Sequence, residues 1–326
     1  MAFKRLAILV LYAAVFSGVH LLAWTSISKA ASKIGFKTEI VALNEENPSM
    51  REIGGLIYRG GLRIESDHSR FGGLSALTIS NDRARFIAIS DRGTKIEGAL
   101  IYDTKGDLKN LSNLTIENLA GAAGRGFKTA YDGDSESMTR LPNGDLLVSF
   151  ERNHRLLVYS DKPTFKFAQP PELDQAPKNG GIESLTGLLN GDLLALSEDW
   201  GTDTQVRGWL WRNNKWNDIF YQRDADFKPS GAATAPNGDV YILSRKFSYI
   251  FGSTVRIAKI PHKSIQPKAV LKGQIVAEMK SPLVVDNYEG IDVRAGSDGK
   301  NYLYLVSDDN FNPLQNTYLL MFEIKP

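Results

Sequence analysis

The 326-residue chain contains no cysteine and only four histidines. Without thiols there can be no disulfide, Cys-ligated zinc site, iron–sulfur cluster, thiol nucleophile or lipoprotein anchor. So few histidines argue against a multi-histidine metal centre. A basic excess is missing as well: 39 Lys and Arg stand against 37 Asp and Glu, a formal net charge of +2, which argues against a nucleic-acid partner. Long helical periodicity is absent after the first thirty residues, and no EF-hand loop occurs. The stretch Gly73-Leu74-Ser75-Ala76-Leu77 lacks the last Gly of a nucleophile elbow. Residues 121–128 (GAAGRGFK) approach a phosphate loop but carry Phe127 before the lysine and no Ser after it. The 42% hydrophobic and 10% aromatic content excludes a disordered chain, and the length suffices to bury a core without staples.

The first thirty residues stand apart. Lys4 and Arg5 precede an apolar stretch from Leu6 to Trp24, and Ser28-Lys29-Ala30 offers small residues where a signal peptidase cuts. This three-part plan predicts a secretory signal over 1–30, with an uncleaved membrane anchor as the alternative because the stretch is long enough to span a bilayer. The expected location is periplasmic or secreted, or else inner-membrane anchored and facing the periplasm. Loss of Lys4, Arg5 and Lys29 leaves 36 basic and 37 acidic residues, so the remainder is slightly acidic.

Residues 31–326 read as one repeat domain. Asp134–Leu141, Gly181–Leu188 and Ser230–Ala235 each lead into an Asn-Gly-Asp triplet, a strong turn signal. A second strand-like run follows, Leu146–Arg152, Leu193–Asp199 or Val240–Arg245. Looser copies join Gly72–Leu77 to Phe86–Arg92 and Glu289–Val293 to Leu303–Asp309. The copies start at 72, 136, 183, 230 and 289. Further strand-like runs separate them. The expected fold is all-β, a β-propeller of five or six four-stranded blades, with the strand Gly55–Glu65 closing the ring against the last blade. A β-sandwich or parallel β-helix is the alternative. Trp209, Trp211, Trp216 and Tyr221 are read as packing between blades.

In a propeller the start of the first strand and the end of the second share one rim. The starts carry Glu136, Glu183, Ser230 and Glu289, with Gly72 in the first copy. The ends carry Asp91-Arg92, Glu151-Arg152, Glu198-Asp199, Arg245-Lys246 and Asp308-Asp309. Nine of these are acids, Asp309 included. Crowded carboxylates raise one another's pKa unless a cation binds, and oxygen ligands favour Ca²⁺ or Mg²⁺. Arg92, Arg152, Arg245 and Arg294 bring compensating charge suited to phosphate or carboxylate. The structural alternative is that the acids cap strands or latch neighbouring blades. His154 is the one histidine placed for acid–base work, against the alternative of a turn histidine; His68 and His262 lie in connecting segments.

Several of these motifs together resemble the phytase-like domain family, described by "esterase-like activity of phytase". They are Gly60-Gly61-Leu62-Arg63, Phe71-Gly72-Gly73-Leu74-Ser75, Ser90-Asp91-Arg92-Gly93, Asp134-Ser135-Glu136-Ser137, Gly181–Thr186, Asn287–Ile291 and Ser307-Asp308-Asp309-Asn310. The likeness covers about residues 50–326. It implies an exported bacterial propeller and a Ca²⁺-dependent phosphoesterase, although β-propeller phytases carry denser acidic loops. By analogy with lactonase propellers, Glu136, Glu183, Glu289, Asp308 and Asn310 are the expected metal ligands. The expected function is hydrolysis of a small-molecule phosphate or carboxylic ester by a monomer. Glu136 or Glu183 would be the general base, Arg92 and Arg152 the charge stabilisers, and His154 a further catalytic candidate. The alternative is a non-catalytic binding or scaffold propeller of the bacterial envelope.

Overall fold

The computed structural model describes residues 31–326 apart from positions 225 and 251, so the leader expected over 1–30 lies outside the described residues. Among the described residues no helix is long and apolar enough to cross a membrane. The Asn-Gly-Asp triplets form the expected turns. Gly144, Gly191 and Gly238 take φ values of 92°, 85° and 89°, which a residue with a Cβ adopts only under strain. In each turn the Asn side chain accepts a hydrogen bond from the backbone N–H two residues on.

These hairpins build a propeller of five blades rather than six. The innermost strands are Leu74–Ile79, Ser135–Arg140, Ile182–Gly187, Lys228–Thr234 and Asn287–Ala295, which number blades one to five. Only blades two and four keep the expected four strands; blades one and three have five and blade five has six. The additions cover outer edges, which would otherwise expose unpaired backbone groups. Ser32–Lys33 pairs outside Leu108–Asn118 in blade one, and Val270–Lys272 runs parallel to Lys215–Gln222 in blade three. Blade five closes the ring as the sequence suggests. Its third strand, Thr317–Ile324, pairs antiparallel with Leu56–Glu65 from the other end of the chain, and Lys37–Ile40 adds a further strand outside.

Each gap between blades is filled by one apolar cluster. Leu147, Leu156, Leu185 and Trp209 lie between blades two and three, for example, and Leu62, Leu77, Ile96 and Tyr304 between blades five and one. A blade has two faces to bury, so its second strands are apolar without a break, as in Leu193–Leu196. Trp211 and Trp216 pack edge to face at 5.3 Å beside Phe167, as expected of packing residues.

Five blades leave a narrow axis, and the innermost strands approach one another closely. A Cβ on Gly231 would stand 2.5 Å from the Glu289 carbonyl oxygen, and one on Gly290 would stand 3.0 Å from the Ala76 backbone. Side chains satisfy the inner edges: Ser137 Oγ accepts from the Leu185 N–H at 3.1 Å, Thr139 Oγ1 from Gly187 at 2.8 Å and Asp292 Oδ2 from Ile79 at 2.5 Å. Arg294 serves this inner lattice at the far end of its strand, where it binds Asp292 and the Ile79 carbonyl; it brings no charge to the rim. Because the Glu289 carbonyl is backbone and cannot swing aside, Gly231→Ala is expected to destabilise the chain by about 1–3 kcal/mol in reversible denaturant unfolding. An unchanged midpoint would mean that the inner ring is looser than this packing.

Candidate active site at the channel mouth

The inner strand of every blade carries a β-bulge at the same register. Pairing with the second strand skips Ser75, Glu136, Glu183, Ser230 and Glu289. A bulge bends its strand and re-aims the skipped side chain. The first blade's equivalent is therefore Ser75, not the Gly72 that sequence spacing suggested. One residue beyond the partner of each pre-bulge residue, the second strands place a second ring of five: Asp91, Glu151, Glu198, Arg245 and Asp308. Where the bulge residue is serine, its hydroxyl ties to the next blade: Ser75 Oγ donates to the Ser135 carbonyl at 2.6 Å and Ser230 Oγ to the Tyr288 carbonyl at 3.1 Å. Where it is glutamate, the carboxylates meet.

That meeting dominates the local electrostatics. Burial first, then Glu183, Glu289, Asp134 and Glu151, holds the Glu136 carboxyl well above the usual range. Glu183 is raised likewise by burial and by Glu198, Glu289 and Glu151, with Arg245 opposing. Glu289 is pushed up to about 8 by burial, with Arg245 pulling it down and Asp308 and Asp91 adding to the rise. Burial and the neighbouring acids lift Asp91 to about 7, and burial also lifts Glu151 to about 7 and Asp308 to about 6. Burial works against the Arg245 charge, yet Glu289, Glu198, Glu183 and Asp308 outweigh it and raise its pKa.

The structure thus brings Glu136, Glu183, Glu289 and Asp308 into one mutually repelling group, with Asp91, Glu151 and Glu198 around them. Asp134 belongs to it too, and sequence reasoning passed over it. Asp134, Glu136 and Glu151 can each point a carboxylate oxygen to within 4.8 Å of the others, a cluster able to hold a metal ion. The signal was present, since Asp134 stands two residues before Glu136 where the fifth blade has Asn287. Asn287 Nδ2 donates to Glu289 at 2.9 Å and to Asp308 at 3.3 Å. Asn310 is exposed, and its backbone N–H donates to Asp308 Oδ1 at 2.6 Å. Asp199, counted among the rim acids from sequence, turns outward to Lys228 at 2.9 Å and Arg223 at 2.8 Å.

The arginines divide. Arg245 is inside the group, 2.9 Å from Glu289. Arg152 pairs with Asp134 and lies 4.7 Å from the Tyr131 ring centre, and Arg92 lies 3.3 Å above the Phe311 ring on the exposed rim. His154 shares the Gly181 side of the site with Glu151 but bonds no carboxylate: its Nε2 meets the Pro177 carbonyl at 3.0 Å, and burial lowers its pKa. A cleft of about 690 Å³ between blades one and two, lined by Glu117, Arg140, Asp145 and Tyr159, shares no residue with the acidic group.

Comparison with known proteins adds a family. No curated protein matches the chain. Similar solved structures include a candidate gluconolactonase (12% identity, 90% of this chain and 95% of that one, TM-score 0.46). A gluconolactonase of Xanthomonas campestris (10%, 89% and 91%, TM-score 0.43) and a virginiamycin B lyase of Staphylococcus aureus (10%, 89% and 100%, TM-score 0.42) are also similar. At such scores they add nothing to the blade assignment, which rests on the sheet topology. The family model described as "Phytase-like: Esterase-like activity of phytase" matches residues 69–311, a span that contains all five inner strands and both rings of the mouth. The chain belongs to the phytase-like family.

Proposed function

We propose that this propeller is an exported hydrolase of small phosphate or carboxylic esters, acting at the channel mouth with a divalent cation, Ca²⁺ being the best match. One observation carries the reading. Glu136 and Glu183 are buried side by side, and among the described residues neither accepts a hydrogen bond nor forms an ion pair. Buried carboxylates need a proton, a donor or a cation, and an all-oxygen donor set suits a hard cation. Asp134, Glu136, Glu151 and Glu183 would hold it, with Glu289 and Asp308 completing the acidic surround and Asn310 beyond them on the rim. A divalent cation there supplies Lewis-acid polarisation of the ester oxygen.

The chain's own groups supply the rest. Arg92 and Arg152 each follow a ring acid, on neighbouring blades, and both reach solvent, so an anionic substrate could be held by their guanidinium forks. Asp91, pushed up to about 7 and half-buried at the mouth, is suited to accept a proton from the attacking water near neutrality. Glu136 and Glu183, the bases suggested by sequence, serve better as ligands because they stay protonated well past their usual range when uncompensated. His154, turned to the Pro177 carbonyl, takes no step in this scheme. The leader supports a periplasmic or secreted location, or an anchored one. A single chain fills all five gaps between blades, which supports a monomer.

Three outcomes follow. On a panel of chromogenic phosphate and carboxylic esters, chelator should abolish turnover and Ca²⁺ restore it; a folded, Ca²⁺-loaded chain that turns over nothing favours the non-catalytic binding propeller. Arg92→Ala should lower kcat/KM by about 100-fold, the scale of one charge-stabilising donor, without changing the melting temperature. The raised carboxyl groups also fix a pH trend. With folded-state pKa values above the unfolded ones, the folded chain binds more protons, so the cation-free chain loses stability as pH rises from about 4 to about 8. Melting curves in chelator should fall across that window and flatten when Ca²⁺ is added; a flat curve in chelator would contradict this account of the acids.

A further inference from the structure

The five-fold repetition makes one departure conspicuous. At the register of this second ring four blades carry a carboxylate, Asp91, Glu151, Glu198 and Asp308, while blade four places Arg245 there. Its guanidinium reaches Glu289 at 2.9 Å and Glu198 at 3.6 Å, and Lys228 Nζ lies 3.6 Å from Glu198. Asn287 holds Glu289 and Asp308. The acids nearest blades four and five are therefore already supplied with positive charge and donors. On blades two and three Asp134 pairs with Arg152 and Glu151 accepts from the Gly181 N–H, and Arg245 also draws on Glu183, but among the described residues no donor or cation touches Glu136 or Glu183. Glu136 and Glu183 are 8% and 6% exposed and have no hydrogen-bond or ion-pair partner among the described residues, and Glu136 shares ligating reach with Asp134 and Glu151. Arg245 is itself incompletely satisfied, for its Nε is buried without an acceptor.

We propose that Arg245 is a resident cation that occupies one side of the acidic mouth, so that the channel takes a single divalent cation on the other side, at Asp134, Glu136 and Glu151 with Glu183 beside them. The inference rests on the reading above that the mouth binds a divalent cation, and it adds stoichiometry and place. A guanidinium does not lose its proton in a protein, so its charge is permanent and its position is set by the strand that carries it. It neutralises Glu289 and Glu198 and repels a second cation from them. Without it, Glu198, Glu289 and Asp308 would form a second all-oxygen donor set of the kind that hard cations take. Arg245 thus sets how many ions the ring accepts, a role distinct from touching substrate.

Calcium titration calorimetry on the purified full chain, with elemental analysis after removal of free ion, tests this. The wild-type chain should bind one Ca²⁺, and Arg245→Glu, which gives blade four the acid of its sisters, should bind two. One ion in both would overturn the inference and leave the cation-binding mouth standing, as would two ions in the wild type. None in the wild type would overturn the cation-binding reading itself and the inference with it. If Arg245→Glu does not fold, placement is tested in the wild-type background. Glu136→Gln should weaken Ca²⁺ binding by at least about tenfold, and Glu289→Gln by much less. Equal losses at the two positions would overturn the division of the mouth.

Discussion

Ring closure is the constraint on which everything else depends. No blade can bury both of its faces alone, so each needs a neighbour on either side, and the last must find the first. Pairing of Thr317–Ile324 with Leu56–Glu65 achieves this by bringing the two ends of the domain into one sheet. The apolar cluster between blades five and one, built around Leu62, Ile96 and Tyr304, forms only when that pairing exists. Because the ring closes with five blades, the inner strands converge tightly enough that Gly231 and Gly290 have no room for a side chain.

The same convergence creates the chemistry. A bulge at one register in all five inner strands re-aims one side chain per blade. Serine there ties the blade to the next one; glutamate adds to a shared negative potential. Three bulge glutamates and four strand-end acids meet with one guanidinium among them. Such an arrangement is costly in a low-dielectric interior, and the raised pKa values of Glu289, Asp91 and Glu151 express that cost. Structural latching explains part of the set: Asp134 has Arg152 and Asp199 has Lys228 and Arg223. It does not explain Glu136 and Glu183, which have no such partner among the described residues.

Much of this was legible in sequence, for local reasons. The Asn-Gly-Asp turns have a glycine at positive φ, so identical turns announce identical hairpins in blades two, three and four. In blade one the left-handed turn position is Arg83, φ 60°, which hides the repeat and led the spacing to Gly72 instead of Ser75. The added outer strands were illegible because Ser32–Lys33 and Val270–Lys272 are too short to carry a period. Asp134 escaped notice because it precedes the bulge, and its reach toward Glu136 and Glu151 depends on how the strand bends.

The sequence by itself determined that the chain is all-β, that its hairpins repeat, and that acids recur at both ends of three of the five hairpins, because turns and strand alternation are dictated by neighbours along the chain. It also pointed to the closing strand. Only the tertiary structure decided that there are five blades, that Asp199 and Arg294 leave the mouth, that His154 faces a carbonyl, and that Arg245 stands among the carboxylates. These depend on distances between residues far apart in sequence, and those distances are set by how many blades must share one axis.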